Sequence, residues 1–539
     1  MEWLTVALAQ PSAIQLVALV LSAVVTVDVV RRFTRHRIER QGYSLPPGPT
    51  PLPLLGSALS VNAQEPWLTY TAWRAKYGDV MYVRLLDIDV IVLNSQSAAI
   101  ELLEKRSQLY SDRPFIATVE PYGHGADFAF ARYGPHWRLC RRIVHQTFRA
   151  EAALAFRPMQ LRRARQIVIN IIDDPSEYPF HFSTFASAVA MSSAYDYEPK
   201  PRDDPMVKLI NDFLDASFAG LSPEMTVLVK AFPFLLSVPE WIPGLSRVRR
   251  EANKSYNLGI AAMETPYQWL QKRMEAKEDI VTDTMVFDHT QRMEKFDGSC
   301  RAEYEKALKH TSLTIFLGKF SLTQATDGHI SPFLAATQTT SGTLMTFALA
   351  MVKNPRIWKR AQAEIDAVIG TDRLPEYEDR PSLPYVDAIV RESLRWQPVG
   401  PMGIPHAVVS DDIYKGYYIP RGMAMSRDES RYPDPDAFIP ERFLDLEGNL
   451  NLDSPADFVF GFGRRMCPGR HTADASVWSG IVTMLATLDF NAAKDVNGND
   501  IEFEAKFANG IAHHPVPFPC NITPRAHIAR ESLEQSLGK

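Results

Sequence analysis

Apolar residues recur at four-residue intervals in a segment near the C-terminal end of the chain, at Ala473, Val477, Ile481 and Leu485. This spacing predicts a helix with one apolar face over residues 473–488. A second apolar periodicity, from Tyr385 to Leu394, predicts another helix. Glu392 and Arg395 lie three positions apart in it and therefore share one face.

The N-terminal pattern is a run from Ala13 to Val30 that is apolar except for Gln15, Ser22, Thr26 and Asp28, followed by a cluster of arginines between residues 31 and 40. A membrane-spanning helix needs about 20 residues, with about 17 as the lower limit, so the run is just long enough. The basic flank favours a cytosolic position for the rest of the chain. A cleaved signal peptide and a buried core helix are the alternatives, and Glu2 together with the trailing arginines disfavours both.

The residues after this run predict a simple domain organisation. Leu45–Pro49 reads LPPGP, and its prolines favour a stiff spacer. No Gly/Ser-rich linker or charge block divides the chain after residue 50. We therefore predict an anchor with its basic flank over residues 1–44, a hinge over 45–50, one catalytic domain over 51–530 and a short tail over 531–539.

Composition narrows the classes of function. The chain is 46% hydrophobic and 22% charged, which is typical of a globular protein, and its net charge of −5 argues against nucleic-acid binding. The four cysteines are widely spaced and form no CxxC pair, so we expect reduced thiols rather than a disulfide scaffold.

One of these cysteines, Cys467, lies in the most informative segment, Phe460–Gly469, which reads FGFGRRMCPG. It directly precedes the predicted helix over 473–488. The helix dipole favours an anion there and is expected to lower the pKa of the Cys467 thiol. The thiolate that results is the form that binds a metal. Gly463 and Gly469 allow the backbone to approach a flat cofactor closely.

This segment resembles the haem-binding signature of cytochromes P450, F-x-x-G-x-R-x-C-x-G, at every position. The resemblance implies a mostly α fold with a small β region near the N-terminal half, preceded by a transmembrane helix. It also implies haem b, with Cys467 as the axial iron ligand. Arg465 would then bind a haem propionate, and Phe460 would pack beside the ring.

Further motifs follow the order of the same family. Taken alone, Glu392 and Arg395 suit a solvated surface pair. With Arg442 of the Pro440–Phe443 motif, the resemblance instead implies a buried triad supporting the haem pocket. It further implies that Trp137 and Arg141, one helical turn apart, and His406, on a strand, bind the propionates.

The oxygen-handling segment departs from the family pattern. Thr339 falls on the threonine that assists proton delivery, but Ala336 replaces the usual glycine and Gln338 the usual acid. An amide can hold a water molecule but cannot shuttle a proton as a carboxylate does. We therefore expect slower or less tightly coupled turnover.

Two further departures leave open a haem-binding but catalytically impaired or non-oxygenating protein. Helix breakers within Gly318–Ala336 predict a kinked or looped helix, and this segment could be retained intron translated in frame. The segment Gly422–Arg427 is shorter than is usual in the family. Either feature would affect catalysis more than haem binding.

The resemblance also implies a substrate, partners and a location. Two apolar stretches favour a hydrophobic small molecule, and they contain the predicted substrate-lining residues Phe115, Ile116, Phe128, Val399, Met402 and Ile404. The chain also resembles a filamentous-fungal group related to O-methylsterigmatocystin oxidoreductase, which implies monooxygenation in secondary metabolism. NADPH would supply electrons through cytochrome P450 reductase, docking on a basic stretch from Arg141 to Arg165. The expected location is the endoplasmic reticulum membrane, with a single span and a cytosolic catalytic domain.

Overall fold

The computed structural model describes residues 42–53, 55–62, 64–86, 88–200, 202–244, 246–317, 337–419, 423–425, 434–451, 457–508, 513–528 and 530–537, together with 22, 26 and 30. Within these ranges, no helix is both long enough and apolar enough to cross a membrane. Almost all of the predicted anchor, Ala13–Val30, lies outside the described residues, as does Gly318–Ala336, including Ala336. The chain divides into two compact units, Met1–Tyr110 with Pro405–Arg427, and Ser111–Ile404 with Asp428–Lys539.

The first unit is built around a small sheet. Its elements are α1 (Pro66–Tyr77), β1 (Val80–Leu85), β2 (Ile88–Leu93), α2 (Gln96–Ala99), β3 (Asp412–Tyr414), β4 (Tyr417–Ile419) and β5 (Met423–Met425). β1 pairs antiparallel with β2, with Val80 opposite Leu93, and β5 adds in parallel with Ile91 opposite Met423. The strands suit the interior because Met81, Val83 and Val92 are apolar and fully buried.

A hairpin, β3–β4, forms the second sheet of this unit. Lys415 and Gly416 both have positive φ angles, 50° and 79°, at its turn. Two successive residues with positive φ are characteristic of the turn that best matches the twist of a two-residue hairpin. The hairpin is therefore set by local backbone geometry.

The second unit contains most of the helices. They are α3 (Pro135–Phe148), α4 (Ala150–Ala153), α5 (Arg157–Asp173), α6 (Tyr178–Tyr195), α7 (Pro205–Leu221), α8 (Pro223–Ala231), α9 (Arg247–Glu275), α10 (Met285–Met293), α11 (Gly298–Phe316), α12 (Thr337–Lys353), α13 (Pro355–Ile369), α14 (Pro384–Trp396), α15 (Arg470–Thr487) and α16 (Arg530–Leu537). Two short antiparallel pairs complete it, β6 (Leu488–Ala492) with β9 (Cys520–Pro524), and β7 (Phe507–Ala508) with β8 (His514–Pro515).

Two hydrophobic cores organise this unit. α12 packs against α6, α14 and α15, and α15 is almost entirely buried around Trp478 and Leu485. A second core joins α3, α6, α7, α9, α10 and α11 around residues such as Cys140 and Phe316. Helices that are apolar on most sides are expected at the centre of a large helical fold.

The mostly helical architecture agrees with the prediction from the sequence. α14 covers the periodic segment around Glu392, and α15 begins at Arg470, slightly before the predicted residue 473. The β structure extends beyond the predicted N-terminal region, because β6–β9 come from the C-terminal part of the chain. β6 and β9 lie far apart in the sequence, so no local sequence pattern predicts their pairing.

Candidate cofactor site

Cys467 is held by a loop between two 3-10 turns and α15. The turns are Asp457–Phe460 and Gly463–Arg465. The Cys467 amide donates to the Phe460 carbonyl at 2.7 Å, and the Met466 amide donates to the Gly463 carbonyl at 3.2 Å. Gly463 has a φ of 58°, which favours glycine at that position. The loop therefore fixes the cysteine by main-chain bonds.

The charge state of the Cys467 thiol differs from the prediction based on the helix dipole alone. Burial raises the thiol pKa, and the opposing effects of the Gly469 amide, Arg141 and Arg470 are smaller. The prediction of a lowered thiol pKa is therefore wrong for Cys467 without a bound metal, because burial destabilises the thiolate more than its neighbours stabilise it. A buried thiol that loses its proton on binding a cation is typical of a metal ligand.

Arg465 reaches away from this loop toward the start of the second unit. Its Nε donates to the Ser111 carbonyl at 2.8 Å, and its Nη2 donates to the Ala131 carbonyl at 2.7 Å. The guanidinium lies over the Trp137 ring, 4.3 Å from the ring centroid. Among the residues that the structure describes, no acceptor lies within hydrogen-bond distance of its buried Nη1. A buried donor without an acceptor is costly, by about 1–3 kcal/mol, and indicates a missing partner.

Two more arginines surround the same place. Arg141, on α3, donates from Nη1 to the Met466 carbonyl at 2.6 Å. Arg113 is buried and donates to the carbonyls of Ala129 at 2.9 Å and Ile404 at 2.8 Å. We call Arg113, Arg141 and Arg465 the arginine cluster.

The arginine cluster is electrostatically unfavourable as it stands. Burial lowers the pKa of Arg465 to about 10 and that of Arg113 well below its usual range, and each is lowered further by another member of the cluster. Neither Arg141 nor Arg465 has a carboxylate within ion-pair distance among the described residues. Two neighbouring cations such as Arg141 and Arg465 are typical of an anion-binding site.

These residues fit a planar anionic cofactor. Cys467 supplies a soft ligand for iron, and the orphaned Nη1 of Arg465 supplies a donor for a carboxylate. A Cβ at Gly469 would meet no heavy atom within 4 Å, so the backbone leaves open space beside the cysteine. Haem, with one iron and two propionates, matches this donor set.

The predicted ionic triad forms a closed group on α14 and the turn Pro440–Phe443. Arg395 Nε lies 2.6 Å from Glu392 Oε2, and Arg442 Nε lies 3.5 Å from Glu392 Oε1. Glu392 is fully buried and also accepts from the Ile439 amide at 2.7 Å. Arg395 donates in addition to the Pro435 and Ala437 carbonyls. The structure therefore brings all three predicted residues together.

Near the start of α12, the structure describes the side chain of Thr339 but not the neighbouring amide side chain. Thr339 is partly buried, and its carbonyl accepts from Thr343 Oγ1 at 2.6 Å. The Gln338 side chain lies outside what the structure describes. Farther along α12, a Cβ at Gly342 would come within 3.1 Å of Val399. The segment carrying Val399 therefore lies directly against the helix that carries Thr339.

The other predicted substrate residues are distributed unevenly. Phe128 and Val399 are buried, and Ile116, Met402 and Ile404 are partly buried. Phe115 is 75% exposed. The structure therefore places Phe115 at the surface, and its predicted role in lining an enclosed pocket does not match this position.

His406 belongs to the first unit, where its Nδ1 lies 2.7 Å from the Tyr110 carbonyl oxygen. The strand β5, Met423–Met425, lies within the segment Gly422–Arg427 that is short for the family. The side chains of that segment lie outside the described part of the structure.

Residues 46–519 match the family model described as Cytochrome P450.

The chain belongs to the cytochrome P450 family.

Curated relatives agree with this assignment over nearly the whole chain. The chain is 34% identical to cytochrome P450 monooxygenase 176 of Postia placenta, over 94% of this chain and 95% of that protein. It is 32% identical to cytochrome P450 monooxygenase claR of Ampulloclitocybe clavipes, over 91% and 88%. It is 34% identical to a cytochrome P450 monooxygenase of Armillaria gallica, over 95% and 96%. These relatives are fungal, so the predicted fungal P450 family is confirmed.

Within this P450, sequence reasoning missed Arg113. The residue follows Ser111 and Asp112 in a loop that is otherwise rich in apolar residues, and such a charged pair in an apolar loop is the one local signal. Asp112 accepts from the Tyr133 amide at 2.7 Å and pairs with Arg132, so the acid is already occupied. Arg113 turns instead toward main-chain carbonyls and the cofactor site.

Proposed function

We propose that this P450 is a haem-thiolate monooxygenase that inserts one oxygen atom from O2 into a hydrophobic small molecule, with electrons from NADPH through a reductase. The observation that carries the proposal is the arginine cluster beside Cys467, in which the buried Nη1 of Arg465 has no acceptor among the described residues. Family membership supports haem as the group that completes it.

The proximal residues have distinct roles in this proposal. Cys467 ligates the iron, and its main-chain bond to Phe460 keeps it in place. Arg113, Arg141 and Arg465 bind the propionates, with Trp137 supporting the Arg465 guanidinium from its ring face. The bound haem supplies the oxygen activation, and the thiolate tunes its electronics.

The triad supports this site indirectly. Arg395 and Glu392 bind main-chain groups of residues 435, 437 and 439, which follow each other in the segment ahead of the cysteine loop. A closed ionic group that fixes backbone in this way rigidifies a segment. We therefore assign Glu392, Arg395 and Arg442 a structural role for the haem pocket.

On the oxygen-handling side, Thr339 assists proton delivery, and Gln338, whose side chain lies outside the described residues, is proposed to hold a water molecule. Because the amide of Gln338 cannot itself transfer a proton, some reducing equivalents are lost as peroxide. Gln338→Glu should lower peroxide formation per NADPH oxidised, with Gln338→Leu as the matched control lacking hydrogen bonds. Unchanged peroxide leakage in Gln338→Glu would remove Gln338 from this role.

The substrate is hydrophobic and belongs to secondary metabolism in this proposal. Phe128, Val399 and Ile404 support it, since they are apolar and lie against α11, α12 and Arg113, respectively. Met402 is also apolar and partly buried. Ile116 belongs to the same loop. Orientation of such a substrate depends on few polar groups, so shape complementarity decides selectivity.

The reductase surface is smaller than the arginine-rich stretch suggested. Arg163 pairs with Glu198 and is 9% exposed, and Arg165 pairs with Glu376 and is 12% exposed. Arg141 turns toward Met466. Arg142 and Arg162 are exposed, and Arg149 is exposed with the Glu151 carboxylate 3.7 Å from its Nε; these three form the remaining surface for an acidic partner. Their combined reversal to glutamate should raise the reductase KM while leaving the haem spectrum unchanged.

We further propose that residues 13–30 anchor the protein in the endoplasmic reticulum membrane with the catalytic domain in the cytosol. The apolar run and the arginines after it support this orientation. The full chain should remain in the membrane pellet after carbonate extraction, and a chain lacking residues 1–44 should not. Recovery of the full chain in the supernatant would overturn the anchor.

The decisive functional test reconstitutes the purified full chain with NADPH and a fungal P450 reductase. A panel of hydrophobic secondary metabolites is scored for products heavier by one oxygen atom, with the label traced to 18O2. Such a product supports the monooxygenase. If the protein contains haem, but NADPH neither changes its spectrum nor drives oxygen consumption with any compound of the panel, the alternative is favoured. That alternative is a haem-binding protein impaired by the Gly318–Ala336 or Gly422–Arg427 segment.

A further inference from the structure

Asp127 is a buried carboxylate outside the motifs of the site. It is 3% exposed and lies in the loop between the Ser111–Arg113 segment and α3. Its Oδ1 accepts from the Thr314 hydroxyl at 2.8 Å and from the Ala129 amide at 3.0 Å. A buried carboxylate is costly unless it is compensated, so its partners indicate a specific role.

Thr314 completes a closed contact between this loop and α11. Its Oγ1 accepts from the Phe128 amide at 3.0 Å and lies within donating distance of both Asp127 and the His310 carbonyl. One threonine side chain thus binds two consecutive loop residues. The loop is attached to the helix through this hydroxyl.

The same loop carries acceptors for two members of the arginine cluster. The Ala129 carbonyl accepts from Arg113 Nε at 2.9 Å, and the Ala131 carbonyl accepts from Arg465 Nη2 at 2.7 Å. Asp127 binds the other main-chain group of the same residue, because it accepts a hydrogen bond from the Ala129 amide. The orientation of this peptide segment is therefore set by Asp127 and Thr314 and transmitted to the arginines.

Burial raises the pKa of Asp127, while the Ala129 amide, the Thr314 hydroxyl and Arg113 favour its ionised form. Electrostatic interaction couples it to Arg113, and Arg113 in turn is coupled to Arg465. Asp112, the other acid near Arg113, is already bound by Arg132 and the Tyr133 amide. Asp127 is thus positioned to offset part of the positive field at the arginine cluster.

We propose that Asp127 is a positioning residue that attaches the loop over residues 127–131 to α11 through Thr314, and thereby sets both the geometry and the electrostatic field of the arginine cluster. This inference rests on the proposed haem site and deepens it. It links the helix that precedes Thr339 in the chain to the groups that bind the cofactor.

Two variants separate the geometric effect from the electrostatic effect. Asp127→Asn removes the charge but keeps an oxygen that accepts both hydrogen bonds. Thr314→Val removes the hydroxyl and keeps the charge and shape. Thr314→Ser, which retains the hydroxyl, is the matched control. All are measured in the full-length, haem-loaded protein.

The readouts are the haem midpoint potential and the rate of haem transfer to apomyoglobin. Asp127→Asn should raise the midpoint potential, because loss of a nearby negative charge favours the reduced iron, while haem transfer stays within about two-fold of wild type. Thr314→Val should leave the potential near wild type and accelerate haem transfer roughly five-fold, as expected for one net hydrogen bond. Thr314→Ser should match wild type in both.

The outcomes distinguish this inference from the proposed function. A wild-type carbon monoxide spectrum without a thiolate band overturns the haem proposal and this inference with it. A normal band, with wild-type potential in Asp127→Asn and wild-type haem transfer in Thr314→Val, overturns this inference alone. If Thr314→Val does not fold, the potential of Asp127→Asn decides: an unchanged potential overturns the role of Asp127.

Discussion

Two buried groups of arginines in this P450 look alike in composition and differ in how they are completed. In the triad, Glu392 lies between Arg395 and Arg442, and main-chain carbonyls accept the remaining protons of Arg395. In the arginine cluster, the bonds of Arg141 and Arg465 end on main-chain carbonyls, and no described residue accepts from Arg465 Nη1. In the first group the chain supplies the carboxylate, whereas no described residue brings a carboxylate within ion-pair distance of Arg141 or Arg465 in the second.

This difference teaches which buried charges serve folding and which serve binding. A closed ion pair holds its own segment, and removing one partner leaves an uncompensated charge. In a cluster without its ligand the like charges repel one another, and an anionic ligand offsets this repulsion. The members of such a cluster are therefore expected to affect cofactor retention more than the stability of the polypeptide. Substitutions in the two groups should therefore have different signatures.

The largest effect is expected from Glu392→Ala. It removes the common partner of Arg395 and Arg442 and the acceptor of the Ile439 amide. Leaving two buried cations unpaired should lower the free energy of unfolding by about 3–5 kcal/mol. Urea unfolding of the purified protein measures this loss.

The matched control is Lys208→Ala, which breaks an exposed pair with Asp212 and should change stability by less than about 0.5 kcal/mol. An unfolding midpoint for Glu392→Ala equal to that of this control would show that the triad is not the closed structural unit described here.

Arg465→Met should have an intermediate effect on stability and a large effect on the cofactor. It leaves no unpaired carboxylate behind, unlike Arg395→Met, which strands Glu392. Loss of a charge-assisted bond worth about 1.5–3 kcal/mol should accelerate haem transfer to apomyoglobin by roughly 10- to 150-fold. The comparison fails if Arg465→Met destabilises the haem-free protein as much as Arg395→Met does.

The smallest effect is expected from Arg141→Lys, which keeps the charge but shortens the reach to the Met466 carbonyl. Loss of that single bond, about 1 kcal/mol, should accelerate haem transfer by roughly five-fold. Arg142→Lys, an exposed neighbour on the same helix, is the control and should leave the rate unchanged. A rate for Arg141→Lys equal to the control would exclude Arg141 from the cluster's function.

Local patterns predicted the parts of this P450 that depend on short segments. Four-residue periodicity located α15, and the motif around Cys467 identified the loop that holds this cysteine. Both features follow from neighbouring residues. The Glu392–Arg395 pair shares a helix, so its geometry was also accessible. Its third member, Arg442, came from motif order alone.

Features that depend on tertiary contacts were not predictable in the same way. Arg113 donates to Ile404, which is distant in sequence, and no local pattern joins the two. The raised pKa of Cys467 reflects burial by several elements, and the inward turn of Arg163 reflects its bond to Glu198. The exposed position of Phe115 likewise depends on how its loop packs. In each case the deciding partner lies outside the local window.

The carbon monoxide difference spectrum of the reduced full-length protein tests the central claim most directly. We predict a red-shifted thiolate band in the wild type, its loss in Cys467→Ala, and a band at the wild-type position with reduced amplitude in Arg465→Met. Absence of the band from the wild-type protein, or an unchanged band in Cys467→Ala, would contradict the assignment of Cys467 as the ligand that the arginine cluster surrounds.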